Sequence, residues 1–176
     1  MIKKSLLALA VCLATSGAAF ASTNLVTNGT FDSDANGWTL SGDTSATGQY
    51  AGTYLFGSLY SDAYLTQQLN TTSGGQYVLS FDLYSPNYFD QHFGATFGGQ
   101  SVYATQDQAF GWTHFSFNVS AAGNSTALVF NGYNSPSYYY LDNVSVTAAV
   151  PEPATGAMAL AGLAALGLAR RRQRAA

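Results

Sequence analysis

Tyr77-Val78-Leu79-Ser80-Phe81-Asp82-Leu83-Tyr84 decides the fold class. Tyr77, Leu79, Phe81 and Leu83 alternate with Val78, Ser80, Asp82 and Tyr84, a period of two that puts one set on a buried face and the other on an open one. The same alternation recurs where Phe115, Phe117 and Val119 are separated by Ser116 and Asn118. Phe93, Ala95 and Phe97 lead into Gly98-Gly99, and Ser101-Val102-Tyr103 returns, which reads as a hairpin. Residues 65–69 and 127–130 are further strands. Asn36-Gly37, Ser73-Gly74-Gly75, residues 121–124 and Asn134-Ser135-Pro136 supply turns. No window between residues 22 and 146 has a helical apolar period. Eight or nine short strands predict an all-β, two-sheet sandwich or jelly roll.

The two ends differ in kind from this middle. Met1-Ile2-Lys3-Lys4 is a short cationic start, residues 6–13 are apolar, and Ala19-Phe20-Ala21 is a small-x-small site. Together they predict a signal peptide over residues 1–21, cleaved between Ala21 and Ser22. Cys12, the one cysteine, falls inside it. At the other end Pro151-Glu152-Pro153 precedes an uncharged stretch from 154 to 169, followed by Arg170, Arg171, Arg172 and Arg174. As a helix that stretch would reach about 24 Å, slightly short of the ~30 Å hydrocarbon core. Snorkelling arginines lengthen the reach, and their charge keeps them cytoplasmic with the preceding domain outside. The expected organisation is therefore a signal peptide (1–21), a β-sandwich domain (22–149) and a sorting segment with a hydrophobic helix (150–176).

All six lysines and arginines lie in the two ends: Lys3, Lys4, Arg170, Arg171, Arg172 and Arg174. The domain keeps eight aspartates, at 32, 34, 43, 62, 82, 90, 107 and 142, so its formal charge is −8 where the whole chain carries −3. Nucleic-acid binding needs cations that neutralise phosphate, and the domain has none. Arginine forks for anionic ligands are excluded likewise. With no cysteine left, disulfides and thiolate metal sites are excluded too.

The last segment, Val150-Pro151-Glu152-Pro153 with its apolar stretch and arginine tail, resembles the PEP-CTERM sorting signal of Gram-negative bacteria. That resemblance implies an exosortase as processing partner, export through the general secretion machinery, and transient anchoring in the inner membrane by the helix. The domain would stand in the periplasm and later at the cell surface or outside. A second resemblance lies in the domain. Residues 24–32 (Asn24-Leu25-Val26-Thr27-Asn28-Gly29-Thr30-Phe31-Asp32), Gly37-Trp38-Thr39, residues 111–117 and the closing Tyr140-Leu141-Asp142-Asn143-Val144-Ser145-Val146 resemble jelly-roll, galactose-binding-like modules, many of them carbohydrate-binding. In those modules an acid after the first strand and one in the last strand often hold a structural calcium, and Asp32 and Asp142 match those places.

Period two also places Asp142 with Val144 and Val146; if those face the core, Asp142 does as well. A buried carboxylate needs a partner, and with no lysine or arginine the choices are a metal, neutral donors or a proton. For ligand binding the candidates are Tyr84, Tyr88, Asp90, Tyr138 and Tyr139, rings and acids near turns that could stack on and hydrogen-bond to a sugar. Tyr54, Tyr60, Tyr64 and Tyr133 read the same way, whereas Trp38 and Trp112 fall in core-like phases. His114 should face solvent. His92 has Asp90 two residues away, a spacing that could orient its imidazole, yet no nucleophile motif accompanies it. The domain has no glutamate and its aspartates are scattered, so no acid pair for glycoside hydrolysis is identifiable. The leading expectation is a non-enzymatic, exosortase-processed surface or extracellular-matrix protein associated with exopolysaccharide. A carbohydrate-binding module with a defined glycan is the alternative, and a secreted enzyme a more distant one.

Replacing Pro151-Glu152-Pro153 with alanines should leave export intact and block removal of the tail. Mass spectrometry of the surface pool decides it: wild-type protein there that still carries residues 170–176 would defeat the sorting expectation.

Overall fold

The computed structural model describes residues 22–86, 89–150 and Gly162. Ser22–Val150 is one unit. The residues at Ala21, Tyr88, Pro151, Glu152, Pro153, Arg170, Arg171 and Arg172, and the expected C-terminal helix, lie outside the described residues.

The unit is all β, as its alternation requires. Ten strands follow in chain order: β1 (Thr39–Gly42), β2 (Thr47–Tyr50), β3 (Thr53–Phe56), β4 (Ala63–Asn70), β5 (Gln76–Ser85), β6 (Gln91–Phe97), β7 (Gln100–Gln106), β8 (Phe110–Ser120), β9 (Ser125–Asn134) and β10 (Tyr139–Ala148). They form two antiparallel five-stranded sheets, β1-β4-β9-β6-β7 and β2-β3-β10-β5-β8. The inward residues of both sheets make the core: Leu65, Leu69, Phe93, Phe97, Leu128 and Phe130 face Phe56, Leu79, Phe81, Leu83, Leu141 and Val146. Phe81 sits at its centre, with ring centroids 5.3 Å from Phe130, 6.4 Å from Phe93 and 5.5 Å from Phe115. Edge and tilted ring contacts of this kind add to the area term of burial.

Three expectations need correction. Residues 24–32 do not form a regular strand. Asn24 Oδ1 takes the Val146 N–H at 2.9 Å, and Asn28 and Phe31 adopt positive φ, so the segment follows β10 by isolated bonds instead of a ladder. One of these is Val144 N–H to Gly29 O at 2.9 Å; a Cβ on Gly29 would stand 2.0 Å from the Val144 carbonyl, so only glycine allows it. Second, Tyr54 and Tyr139 are core residues, each about 1% exposed or less. Tyr139 packs 5.2 Å from Phe93, and burial pushes its phenol well above the ordinary range. Third, Asp142 does not share a face with Val144 and Val146. Asp142 pairs with Asp82 and Ser145 with Ser80, so β10 spends one residue more than β5 between these pairs. Asn143, at φ 51°, carries this bulge, a conformation asparagine tolerates better than most residues. Tyr139 and Leu141 point inward before it and Val144 and Val146 after it, which leaves Asp142 on the outer face.

Asp43, just after β1, shows how acids are held in a domain without cations. Its carboxylate accepts from Ser45 Oγ, from the Tyr60 N–H at 2.8 Å, and from the N–H groups of Ser45 and Leu59, both at 3.1 Å. Its own N–H donates to the Asp62 carbonyl at 3.0 Å, so one residue ties the loop before β4 to β1. These bonds, the Ser45 hydroxyl first, lower its carboxyl from 3.8 to about 2. The folded state prefers the ionised form, so the stabilisation is present above about 3.8 and lost as pH falls through about 2. Wild type should therefore lose more stability than Asp43→Asn across that window in parallel urea melts. Parallel curves for the two proteins would show that the clamp contributes nothing.

Candidate functional site

The outer face of the first sheet carries a preorganised polar group. Along β4, β9 and β6 the outward residues are Tyr64 and Thr66, Asn131 and Tyr133, and His92, Gly94 and Thr96. Pairing sets them in rows: Tyr64 beside Asn131 beside Gly94, and Tyr133 beside His92. Gly94 has no side chain, and the Asn131 amide leans over it; a Cβ there would meet Asn131 Oδ1 at 2.5 Å. Next to this gap lies an open depression of about 430 Å³, lined by His92, Gly94, Thr96, Ser101, Gln106 and Asn131 among others.

Asp62 organises the polar side of the depression. Its Oδ1 is 2.5 Å from His92 Nε2 and its Oδ2 accepts from Asn131 Nδ2 at 2.7 Å. A carboxylate only accepts, so His92 donates through Nε2, which fixes the ring's orientation. The His92 side chain is 46% exposed and that of Asp62 20%, so the acid is sheltered behind the ring it holds. Tyr133 stacks on His92 with centroids 5.8 Å apart and planes at 22°. The Tyr133 hydroxyl donates to Asp90 Oδ2 at 3.3 Å. The sequence pairing of His92 with Asp90 is thus corrected: the orienting acid is Asp62, thirty positions earlier in the chain, and Asp90 serves Tyr133. Nothing local in sequence links Asp62 to His92; only the β4-β9-β6 order brings them together.

The other candidates scatter. Tyr84 and Tyr138 lie on the outer face of the second sheet, where Tyr84 and Tyr140 stand 5.4 Å apart and Tyr138 is 6.4 Å from Tyr140. Tyr139 is in the core. His114 faces solvent and donates through Nδ1 to Asp82 Oδ1 at 2.7 Å. Trp112, expected in the core, is 54% exposed, because its odd spacing from Phe115 gives it the outward phase of His114 and Ser116.

Asp142 is half buried beside other acids. Burial first, and the charges of Asp82 and Asp32 next, push its carboxyl up, against the Asn143 N–H that donates to it at 2.6 Å. Asp32 itself is exposed and accepts from Thr30 Oγ1 at 2.6 Å. Among the described residues no three His, Cys, Asp or Glu side chains are grouped to share a metal ion.

Residues 149–173 match the model of the PEP-CTERM protein-sorting motif. No curated protein matches the chain. Its similarities to solved structures share the sandwich fold. A solved CBM4 domain aligns with TM-score 0.54 at 16% identity over 70% of this chain and 99% of that one. TmCBM61, solved with β-1,4-galactotriose, gives 0.56 at 14% over 73% and 100%. The CBM22-1–GH10 modules of Clostridium thermocellum xylanase 10B, solved with xylohexaose, give 0.55 at 15% over 74% of this chain and 29% of that one. The chain carries a PEP-CTERM protein-sorting motif, a signal that implies export, transient membrane anchoring and processing by an exosortase, and its domain has the jelly-roll fold seen in carbohydrate-binding modules.

Proposed function

We propose that the domain is a non-enzymatic glycan-binding module, presented at the cell surface or in the extracellular matrix, where it associates with exopolysaccharide. The observation that carries this reading is the Asp62-centred group: His92, Asn131 and Tyr133 held in fixed positions around the Gly94 gap on an open sheet face. A sugar ring offers an apolar C–H face and a rim of hydroxyls. Tyr133 and Tyr64 supply surfaces for the first, and Asp62, Asn131, Thr96 and Gln106 supply donors and acceptors for the second. His92, fixed in orientation by Asp62, presents its exposed ring for contact with a ligand. The modules similar in fold were solved with β-1,4-galactotriose and xylohexaose, which makes neutral oligosaccharides the first probes. Calorimetric titration should give saturable binding to one of a panel that includes these two. His92→Ala and Tyr133→Ala should each weaken it about tenfold, the loss of one ring contact or one charge-assisted hydrogen bond. Binding unchanged in both variants would remove the site, and no binding to any neutral glycan would remove the function.

Calcium at Asp32 and Asp142 is a second proposal. Asp142 is surrounded by like charge with no cation in the domain, which a divalent ion would relieve. Two carboxylates are too few for calcium's six to eight oxygens, so backbone carbonyls would complete the shell; the Thr30 carbonyl faces Gly52 alongside Asp32. Calcium should then raise the melting temperature by binding only the folded chain, and Asp142→Asn should abolish the gain. A melt unmoved by a strong chelator, in protein shown to start with metal, would overturn this.

A further inference from the structure

The outer face of the second sheet is laid out in rows across β10, β5 and β8. Pairing sets Tyr140 beside Tyr84, and Trp112, next after the Thr113 that pairs with Leu83, falls against Tyr84. The three rings are continuous: Tyr84 and Trp112 lie 5.8 Å apart with planes at 28°, Tyr84 and Tyr140 5.4 Å apart, Trp112 and Tyr140 6.5 Å apart. The next row is Asp142 beside Asp82 beside His114, and the one after is Ser145 beside Ser80 beside Ser116. Within the acid row Asp82 accepts from His114 Nδ1 at 2.7 Å and from Asn143 Nδ2 at 2.8 Å, so its side chain is fixed.

This layout is costly for a bare surface. Two acids stand directly opposite each other, which is unfavourable on a sheet, and a tryptophan is left more than half open. The stripe is apolar along one edge and hydrogen-bonding along the next, with no cation within the domain to draw an anionic partner. A neutral polysaccharide chain has the matching chemistry: its ring faces lie on the aromatic row and its hydroxyls donate to Asp82. We propose that Tyr140, Tyr84 and Trp112, with Asp82, form a second glycan-binding face, on the opposite sheet from the Asp62 group. Packed sheets are about 10 Å apart and side chains extend beyond both, so one short glycan does not reach both faces. The domain then holds two chains at once and cross-links polysaccharide, a role that rests on the first face also binding glycan.

The two tryptophans make the second face separately readable. Trp38 is buried at 8% exposure and Trp112 is open, so acrylamide quenching reports mainly on Trp112. With the full-length protein, xylohexaose and β-1,4-galactotriose titrations should protect Trp112 from acrylamide and shift its emission to the blue. That response should persist in His92→Ala and weaken about tenfold in Tyr84→Ala and Tyr140→Ala, each having lost one ring contact. Tyr84→Phe, which keeps the ring, should retain it and guards against a folding artefact. Light scattering with soluble xylan should show cross-linking by wild type and none by Trp112→Ala, while calorimetry on that variant still shows the His92-dependent event. If the His92-dependent event occurs and Trp112 stays equally quenchable at saturating glycan, the second face is overturned and the first stands. If neither responds, both fall. Protection of Trp112 by a proline-rich peptide but by neither sugar would assign the face to a protein partner and overturn the glycan reading.

Discussion

The domain must hold its acids without a single lysine or arginine, and much of its surface follows from that constraint. An ionised carboxylate near a protein surface needs donors, and here they are neutral groups or imidazole. Asp43 gathers backbone N–H groups and a serine hydroxyl, Asp62 an amide and a histidine, Asp82 a histidine and an amide, Asp107 the Gln91 N–H at 3.0 Å. Neutral donors come from elements distant in sequence, so each acid also ties elements together. Asp62 links β4's leading loop to β6 and β9, and Asp82 links β5 to β8 and β10. Both histidines of the domain are used in this way, one on each sheet. The groups that stabilise the acids are thus the same ones that give each outer face its polar pattern.

The outer faces are shaped by single inserted residues. Unbroken alternation back from Phe115 would have turned Phe110 outward, and back from Val144 would have carried Asp142 inward. The extra residue in β8 and the one in β10 reverse those phases. Bulges of this kind re-aim side chains at the cost of one unpaired residue. Here the one in β10 sets an acid next to Asp82 on the outer face, and the one in β8 returns Phe110 to the core. The core hardly registers the change, because Phe110 packs against it before the β8 bulge and Val144 and Val146 close it after the β10 bulge.

The fold class was legible because long strands alternate cleanly: β5, β6, β8 and β9 lie where the spacing of Tyr77 to Leu83, Phe93 to Phe97, Phe115 to Val119 and Ala127 to Phe130 puts them. β1, β2 and β3 were not, since four residues are too few to show a period, and the burial of Tyr54 in β3 went unseen with them. Tyr139 was misread because three consecutive tyrosines, Tyr138 to Tyr140, give no phase of their own; their pairing with β3 and β5 sets it. The candidate site was least legible. Its two central members, Asp62 and His92, meet through the non-sequential order β4-β9-β6, and sequence proximity had pointed to Asp90 instead.

The charge distribution also decides what kind of glycan such faces can hold. Every cation lies in the first four residues or the last seven, so the folded unit presents carboxylates alone, −8 formally. A uronic-acid or sulfated chain would bring its own negative charge against Asp62, Asp90, Asp82 and Asp142, and at an exposed face that repulsion extends over roughly the ~10 Å Debye length of 0.1 M salt. No arginine fork is available to offset it. Neutral sugars escape this penalty and gain from the same acids, since a hydroxyl donates to a carboxylate more strongly than to a neutral oxygen. The feature that excludes nucleic acids and anionic ligands therefore favours uncharged polysaccharide, and it does so on both sheets, because each carries its own acid, its own histidine and its own tyrosines.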